Sequence, residues 1–195
     1  PARAVADLDV VVERAPSAAA HYNRAIARHA LGDHEGELAD LTASLELEPG
    51  DARAHSNRAG ARLRTGDPDG ALADWDRAIE IDPELVLPWL NRGIVRRERG
   101  ELAAALADFT AALDRDPDLA VAWAHRGLAQ VDLGREEEGA ADLDRAEDLA
   151  PGLWRGWLES ALEKPPDQAA RKIADARRLC PPGEQAEFDE ILGND

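Results

Sequence analysis

The sequence predicts an all-α chain built as a solenoid of stacked antiparallel helix pairs, and three columns of residues carry that prediction. Laid on itself at an offset of 34 residues, the chain brings Pro49, Pro83, Pro117 and Pro151 into one column, and Gly32, Gly66, Gly100 and Gly134 into a second. His21, His55, Trp89, Trp123 and Trp157 make the third. The register runs without insertion or deletion from residue 18 to residue 153. A fixed period of this length is the signature of a repeat architecture.

The elements follow in order. Residues 1–17 read as the second helix of a truncated preceding repeat, with helix-compatible spacing over 4–15, Leu8 in a bulky column and Pro16 as the stop. The solenoid is accordingly expected to continue before Pro1. Four full repeats occupy 18–51, 52–85, 86–119 and 120–153. In the third, 89–99 has helical spacing, Gly100 breaks it, 102–115 resumes it and Asp116-Pro117 ends it. The glycine supplies a positive-φ turn, and the proline lacks the N–H that a continuing helix needs. Residues 154–182 read as a shortened fifth repeat, since Pro182 follows Pro151 by three residues less than the period. Its first helix is expected over 154–164, an early stop at Pro165-Pro166 and a shortened partner over 167–179. Residues 183–195 form an expected capping helix and tail, in which Phe188, Ile191 and Leu192 cover the exposed apolar end, as terminal repeats require.

Side-chain size states how the helices meet. Small residues recur at Ala25, Ala59, Gly93 and Gly127 on the first helices, and at Ser44, Ala78, Ala112 and Ala146 on the second. Between them stand the bulky Leu41, Trp75, Phe109 and Leu143. That alternation packs two helices closely, and one pair alone leaves apolar faces that only a neighbouring pair can bury. The His/Trp column recurs at packing spacing and reads as core.

The units, for example Trp89-Leu90-Asn91-Arg92-Gly93 followed by Gly100-Glu101, Ala105-Leu106, Phe109, Ala112 and Asp116-Pro117, resemble the tetratricopeptide repeat family. The resemblance implies a right-handed superhelical solenoid whose concave groove binds peptides. Two departures stand out. Glu37 occupies a column that is Ala71, Ala105 and Gly139 elsewhere, and Arg28, Arg62, Arg96 and Gln130 stand where the family often has Tyr. Repeat 1 is therefore expected to pack less regularly.

The resemblance also places a candidate groove. Asn23, Asn57, Asn91 and His125 line it, joined by Tyr22, Ile26, Arg64, Ile94 and Arg97. His29, Arg53, Ser56, Leu90, Glu98, Val121, Leu128 and Asp132 lie around them. An amide offers both donor and acceptor, so a ladder of asparagines can pair with an extended peptide backbone, or it can satisfy local backbone groups and water. A Lys/Asn pair that grips a C-terminal carboxylate in some relatives is replaced here by Tyr22 and Ile26. Two further columns, Arg24, Arg58, Arg92 and Arg126 against Asp40, Asp74, Asp108 and Asp142, predict ion pairs joining first and second helices.

Composition bounds the function. Across 195 residues 40 acidic side chains face 23 basic ones, and the net charge of −17 repels nucleic acid and anionic membranes. No apolar run reaches the length of a membrane span, and a single cysteine, Cys180, fits a cytoplasmic location. His21 and His55 lie in separate repeats with no third ligand. His34-Glu35 lacks the second histidine of a zinc-protease helix, and no phosphate loop or nucleophile elbow occurs. The expectation is no enzyme activity, no cofactor and no metal. The expected function is a protein-protein interaction module that takes a protein or extended peptide in the groove. The alternative is a scaffold for self-association, or for intramolecular regulation of a catalytic domain outside this chain.

Overall fold

A computed structural model describes residues 2–163 and 166–193. The continuation expected before Pro1, the stop at Pro165 and the end of the tail lie outside the described residues. Among those described, the secondary structure is helical throughout: α1 Ala2–Arg14, α2 Ala18–His29, α3 His34–Leu47, α4 Ala52–Arg64, α5 Pro68–Ile81, α6 Val86–Glu98, α7 Leu102–Arg115, α8 Ala120–Asp132, α9 Glu136–Leu149, α10 Leu153–Leu162, α11 Pro166–Leu179 and α12 Gln185–Leu192. A 3-10 turn, Pro182–Glu184, precedes α12. The chain forms two compact units, Pro1–Val95 and Arg96–Asp195.

Each pair is closed by the same local chemistry. Gly32, Gly66, Gly100 and Gly134 all take φ between 75° and 85°, a region that costs a residue with a Cβ and costs glycine nothing. In the first unit Asp33 and Asp67 then cap α3 and α5, accepting from the backbone N–H of Gly36 (3.0 Å) and Gly70 (2.9 Å). The corresponding Glu101 and Arg135 make no such cap. The triple acid Glu136-Glu137-Glu138 opens α9, where the helix dipole favours negative charge.

Within the first unit α2 packs on α3 and α4 on α5, with α3 against α4 joining the pairs and α1 against α2. Ala25, Leu41, Leu45, Ala54 and Ala61 make one core; Ala59, Ala71, Trp75 and Val95 make the next. In the second unit α8 packs on α9, α10 on α11, and α7 on α8. Two glycines let α8 and α9 approach closely there. A Cβ on Gly127 would meet the Gly139 carbonyl at 2.8 Å, and one on Gly139 would meet the Gly127 carbonyl at 2.8 Å.

Ion pairs from the two charge columns join the paired helices in repeats 1, 2 and 4, while Arg92 donates to Asp76 of the preceding repeat at 2.6 Å. Arg24 holds Asp40 through Nε (2.9 Å) and Nη2 (2.6 Å); Arg58 holds Asp74 (2.8 and 2.6 Å) and Arg126 holds Asp142 (2.6 and 2.8 Å) in the same two-pronged way. The Arg28/Arg62/Arg96 column is the surprise. Arg28 reaches Asp40 (2.9 Å) and the Gly36 carbonyl (3.0 Å), and Arg62 reaches Asp74 (3.0 Å) and the Gly70 carbonyl (3.0 Å). Arg96 donates to Asp108 (2.8 Å). Repeat 1 therefore repeats the bonds of repeat 2, against the expectation of looser packing, because the arginine that replaces Tyr satisfies a buried carboxylate and a helix-start carbonyl together. Where Gln130 takes this position its Oε1 is buried with no hydrogen-bond partner among the described residues.

Of the His/Trp column, expected as core, His55 is buried, whereas His21, Trp89, Trp123 and Trp157 are half-buried, and members of the column also make hydrogen bonds. The ring N–H of Trp89 donates to the Pro83 carbonyl (2.9 Å) and that of Trp123 to the Pro117 carbonyl (2.7 Å), while His55 Nε2 lies 3.1 Å from the Pro49 carbonyl. These rings close the carbonyl left open beside the preceding helix end.

The fifth pair differs from its expected outline. Helix α11 has 14 residues, as α3, α5, α7 and α9 do, whereas α10 has 10. The shortening falls on the first helix, not on its partner. Helix α12 is the cap: Phe188 is fully buried against Trp154, with Leu192 packed beside it, and Ile191 remains 42% exposed. Arg155 ties the cap down through Glu184 (2.7 Å) and Glu187 (2.8 Å).

Candidate functional site: the face of the first helices

In the first unit the face of α2 and α4 leads into the segment that opens α6. Tyr22, Arg53, Ser56 and Asn57, with residues 85–88, line a cleft of about 230 Å3. Asn57 Nδ2 donates to the Tyr22 hydroxyl at 2.8 Å. Asn57 thus carries one internal bond, the local alternative to a free ladder rung, while Asn23 is exposed and Asn91 half-buried. Ile26 (44% exposed) and Leu87 (59%) add apolar surface. Residues 85–88 are not among those predicted to line the groove, although Leu87, in the first turn of α6, shares the register column of Arg53 and Val121.

Arg64 is engaged. Its Nη2 donates to Glu37 (2.7 Å) and its Nε to His34 Nδ1 (3.2 Å). Leu90 and Leu128, expected around the groove, are core residues at 6% and 0% exposure. Ile94 is half-buried.

The second unit treats the equivalent face differently. Helix α11 packs on α8 and α9. Its Asp175 receives two bonds from Arg97, Nη1 at 2.9 Å and Nη2 at 2.8 Å, while Arg97 Nε reaches Asp132 at 3.0 Å. Arg178 and Arg171 also donate to Asp132, at 2.9 and 3.2 Å. Burial pushes the Asp132 carboxyl up, but Arg97 and Arg178 outweigh it and hold it below the usual range. His125 lies between Phe109 (5.6 Å between ring centres) and Trp157 (4.7 Å). Burial, reinforced by the charges of Arg97 and Lys172, lowers its pKa from 6.5 to about 3, so the ring is neutral at neutral pH. Arg97 and His125, predicted as groove-lining residues, are therefore covered here by the chain's own helix and aromatic rings. The sequence signal that could have revealed this is Asp175, a carboxylate on an apolar helix face.

Models of the tetratricopeptide repeat match residues 52–85 and 90–153. Among solved structures, the crystal structure of YrrB, described as a TPR protein with an unusual peptide-binding site, superposes with a TM-score of 0.68 at 16% identity, over 95% of this chain and 98% of that one. The crystal structure of MamA protein does so with a TM-score of 0.66 at 15% identity, over 88% and 95%. The first TPR of Spaghetti (RPAP3), bound to an HSP90 peptide, gives 0.59 at 19% identity, over 60% and 94%. These likenesses support the all-α, tetratricopeptide-like solenoid fold. A comparison with curated proteins finds no match. No described helix is long and apolar enough to cross a membrane.

Proposed function

Because the chain belongs to the tetratricopeptide repeat family, we propose that it is a protein-protein interaction module that takes an extended peptide, or an extended segment of a partner protein, on the first-helix face of its first unit. The observation that carries this is the cleft at Tyr22 and Asn57. It combines a polar pair with exposed apolar surface at Leu87 and Ile26, the mix that an extended chain needs for main-chain bonding and side-chain anchoring. An amide carries two N–H donors and one carbonyl, and the bond to Tyr22 uses one donor. Two structurally similar proteins are described as peptide-binding, which supports the class of ligand.

Two features narrow it. Tyr22 and Ile26 stand where some relatives carry a carboxylate clamp, so the ligand is held mainly through backbone and apolar contacts, with Arg53 as a cation on the cleft wall. In the second unit the comparable face is held by α11 through Arg97 and Asp175, which supports binding at the first unit. The test is selection from a random-peptide display library against the full chain, followed by affinity measurement. Tyr22→Ala combined with Asn57→Ala weakens the selected peptides by about tenfold or more, the loss expected when a central aromatic anchor and its polar partner are removed, with the circular dichroism unchanged. Equal affinity of both proteins for every selected peptide would reject the assignment.

A further inference from the structure

Repeat 1 gathers three side chains that its register partners do not carry. His29 ends α2, His34 opens α3, and Glu37 lies one turn further on, so the turn at Gly32 folds the two histidines toward the same carboxylate. At the later repeats the three columns read Leu63, Arg97 and Val131; Pro68, Leu102 and Glu136; and Ala71, Ala105 and Gly139. Glu37 is 3% exposed in a column made for a methyl group or a hydrogen. A buried carboxylate there costs free energy unless something charged compensates it.

What compensates it is Arg64, and the fit is imperfect. Glu37 Oε2 lies 3.2 Å from His29 Nδ1 and 3.4 Å from His34 Nδ1. The same two nitrogens face the Arg64 guanidinium, each at 3.2 Å. A nitrogen that accepts from Arg64 turns its lone pair on the carboxylate, and one that donates to the carboxylate turns its proton on the guanidinium. Neither protonation state serves both neighbours. A cation at the centre removes the conflict, because it takes both imidazole lone pairs and the carboxylate oxygen together.

We propose that His29, His34 and Glu37 form a binding site for a divalent cation of the zinc class, with Arg64 as the place-holder that the ion displaces. The three donor atoms lie within 4.8 Å of one another. Zinc bonds of about 2.0–2.1 Å in a tetrahedron set donor atoms about 3.4 Å apart. Two of the three separations already have that length, and the exposed His29 ring supplies the third by a small rotation. Two imidazoles and one carboxylate suit zinc and its first-row neighbours better than calcium or magnesium, which take oxygen ligands. Three protein ligands leave an open position for water. Arg64, with its side chain 34% exposed, has a route to solvent when the ion enters.

Calorimetric titration of the full chain with zinc chloride, paired with the visible absorption of bound Co2+, tests this directly. The wild type saturates at about one equivalent, with the intense Co2+ bands of a site of low coordination number. Glu37→Ala gives repeat 1 the residue that repeats 2 and 3 carry, so it keeps the fold, checked by circular dichroism, and weakens that binding by more than about tenfold. Arg64→Gln strengthens it. Weak binding of several equivalents shared by the wild type and Glu37→Ala marks only the acidic surface and overturns the site. So does a wild type that fails to saturate at one equivalent, or an Arg64→Gln protein that binds more weakly.

Discussion

Replacing Asp74 with asparagine removes a single charge at nearly constant volume, so the cavity contribution to any loss is negligible. In the folded chain that carboxylate is 3% exposed and receives Arg58 at 2.8 and 2.6 Å, Arg62 at 3.0 Å and His55 at 3.2 Å. Breaking a buried ion pair costs about 3–5 kcal/mol, because the surviving charge stays desolvated. The Arg58 and Arg62 side chains are 14% and 27% exposed, so water screens part of that penalty and places the loss near the lower end, about 3 kcal/mol. For a chain of this size such a loss lowers the Tm by roughly 6–12 °C. Urea unfolding followed by far-UV circular dichroism gives the total. Amide exchange in α4 and α5 shows whether the loss is local, as repeat arrays allow. A double-mutant cycle with Arg58→Met isolates the pair. A loss below about 1 kcal/mol, or a cycle with no coupling, would refute the role assigned to the arginine and aspartate columns as bolts between paired helices.

Four further outcomes are expected. Gly127→Ala forces a methyl group against the Gly139 carbonyl and destabilises the second unit by about 1–3 kcal/mol, measured by denaturant unfolding. His125 stays neutral in the fold down to about pH 3, whereas in the unfolded chain it takes up a proton near pH 6.5. Its contribution to stability is thus present above pH 6.5 and lost as pH falls toward 3, and His125→Phe reduces the acid-side fall in stability over that window. Cys180 is 4% exposed and its thiol is pushed up by burial and by Glu184, so it reacts slowly with thiol reagents at neutral pH. Phe188→Ala strips the cap at a cost of about 3 kcal/mol or more and accelerates that reaction.

The features written in the repeat register were those the sequence could disclose. Gly32 and its equivalents announce a positive-φ turn because few other residues tolerate one. The alternation of Ala25, Leu41 and Ser44 with their counterparts announces which surfaces meet, because packing allows little latitude in volume. Features that break the register were harder to place. Arg62 looked like a defect where the family has Tyr, and the carboxylate it serves lies twelve residues on, in the other helix of its repeat. Arg97 was assigned to an open wall, since a periodic pattern contains no information about α11, whose Asp175 lies 78 residues away. Leu87 is the exception, since it shares the register column of Arg53 and Val121 and was legible there. The column of Asn57 was visible, but its bond to Tyr22, the chain's single tyrosine, is a contact between successive first helices that a one-repeat comparison does not display.

Backbone and side-chain amide NMR, recorded as a library-selected peptide is titrated into the full chain, tests the peptide-binding role most directly. The largest shifts are expected in α2 around Tyr22, in α4 around Ser56 and Asn57, including the Asn57 side-chain amide, and in residues 85–88, with α3, α5 and the described part of α11 unmoved. Shifts confined to the second helices, or to the second unit while the Tyr22 and Asn57 signals stay in place, would contradict it.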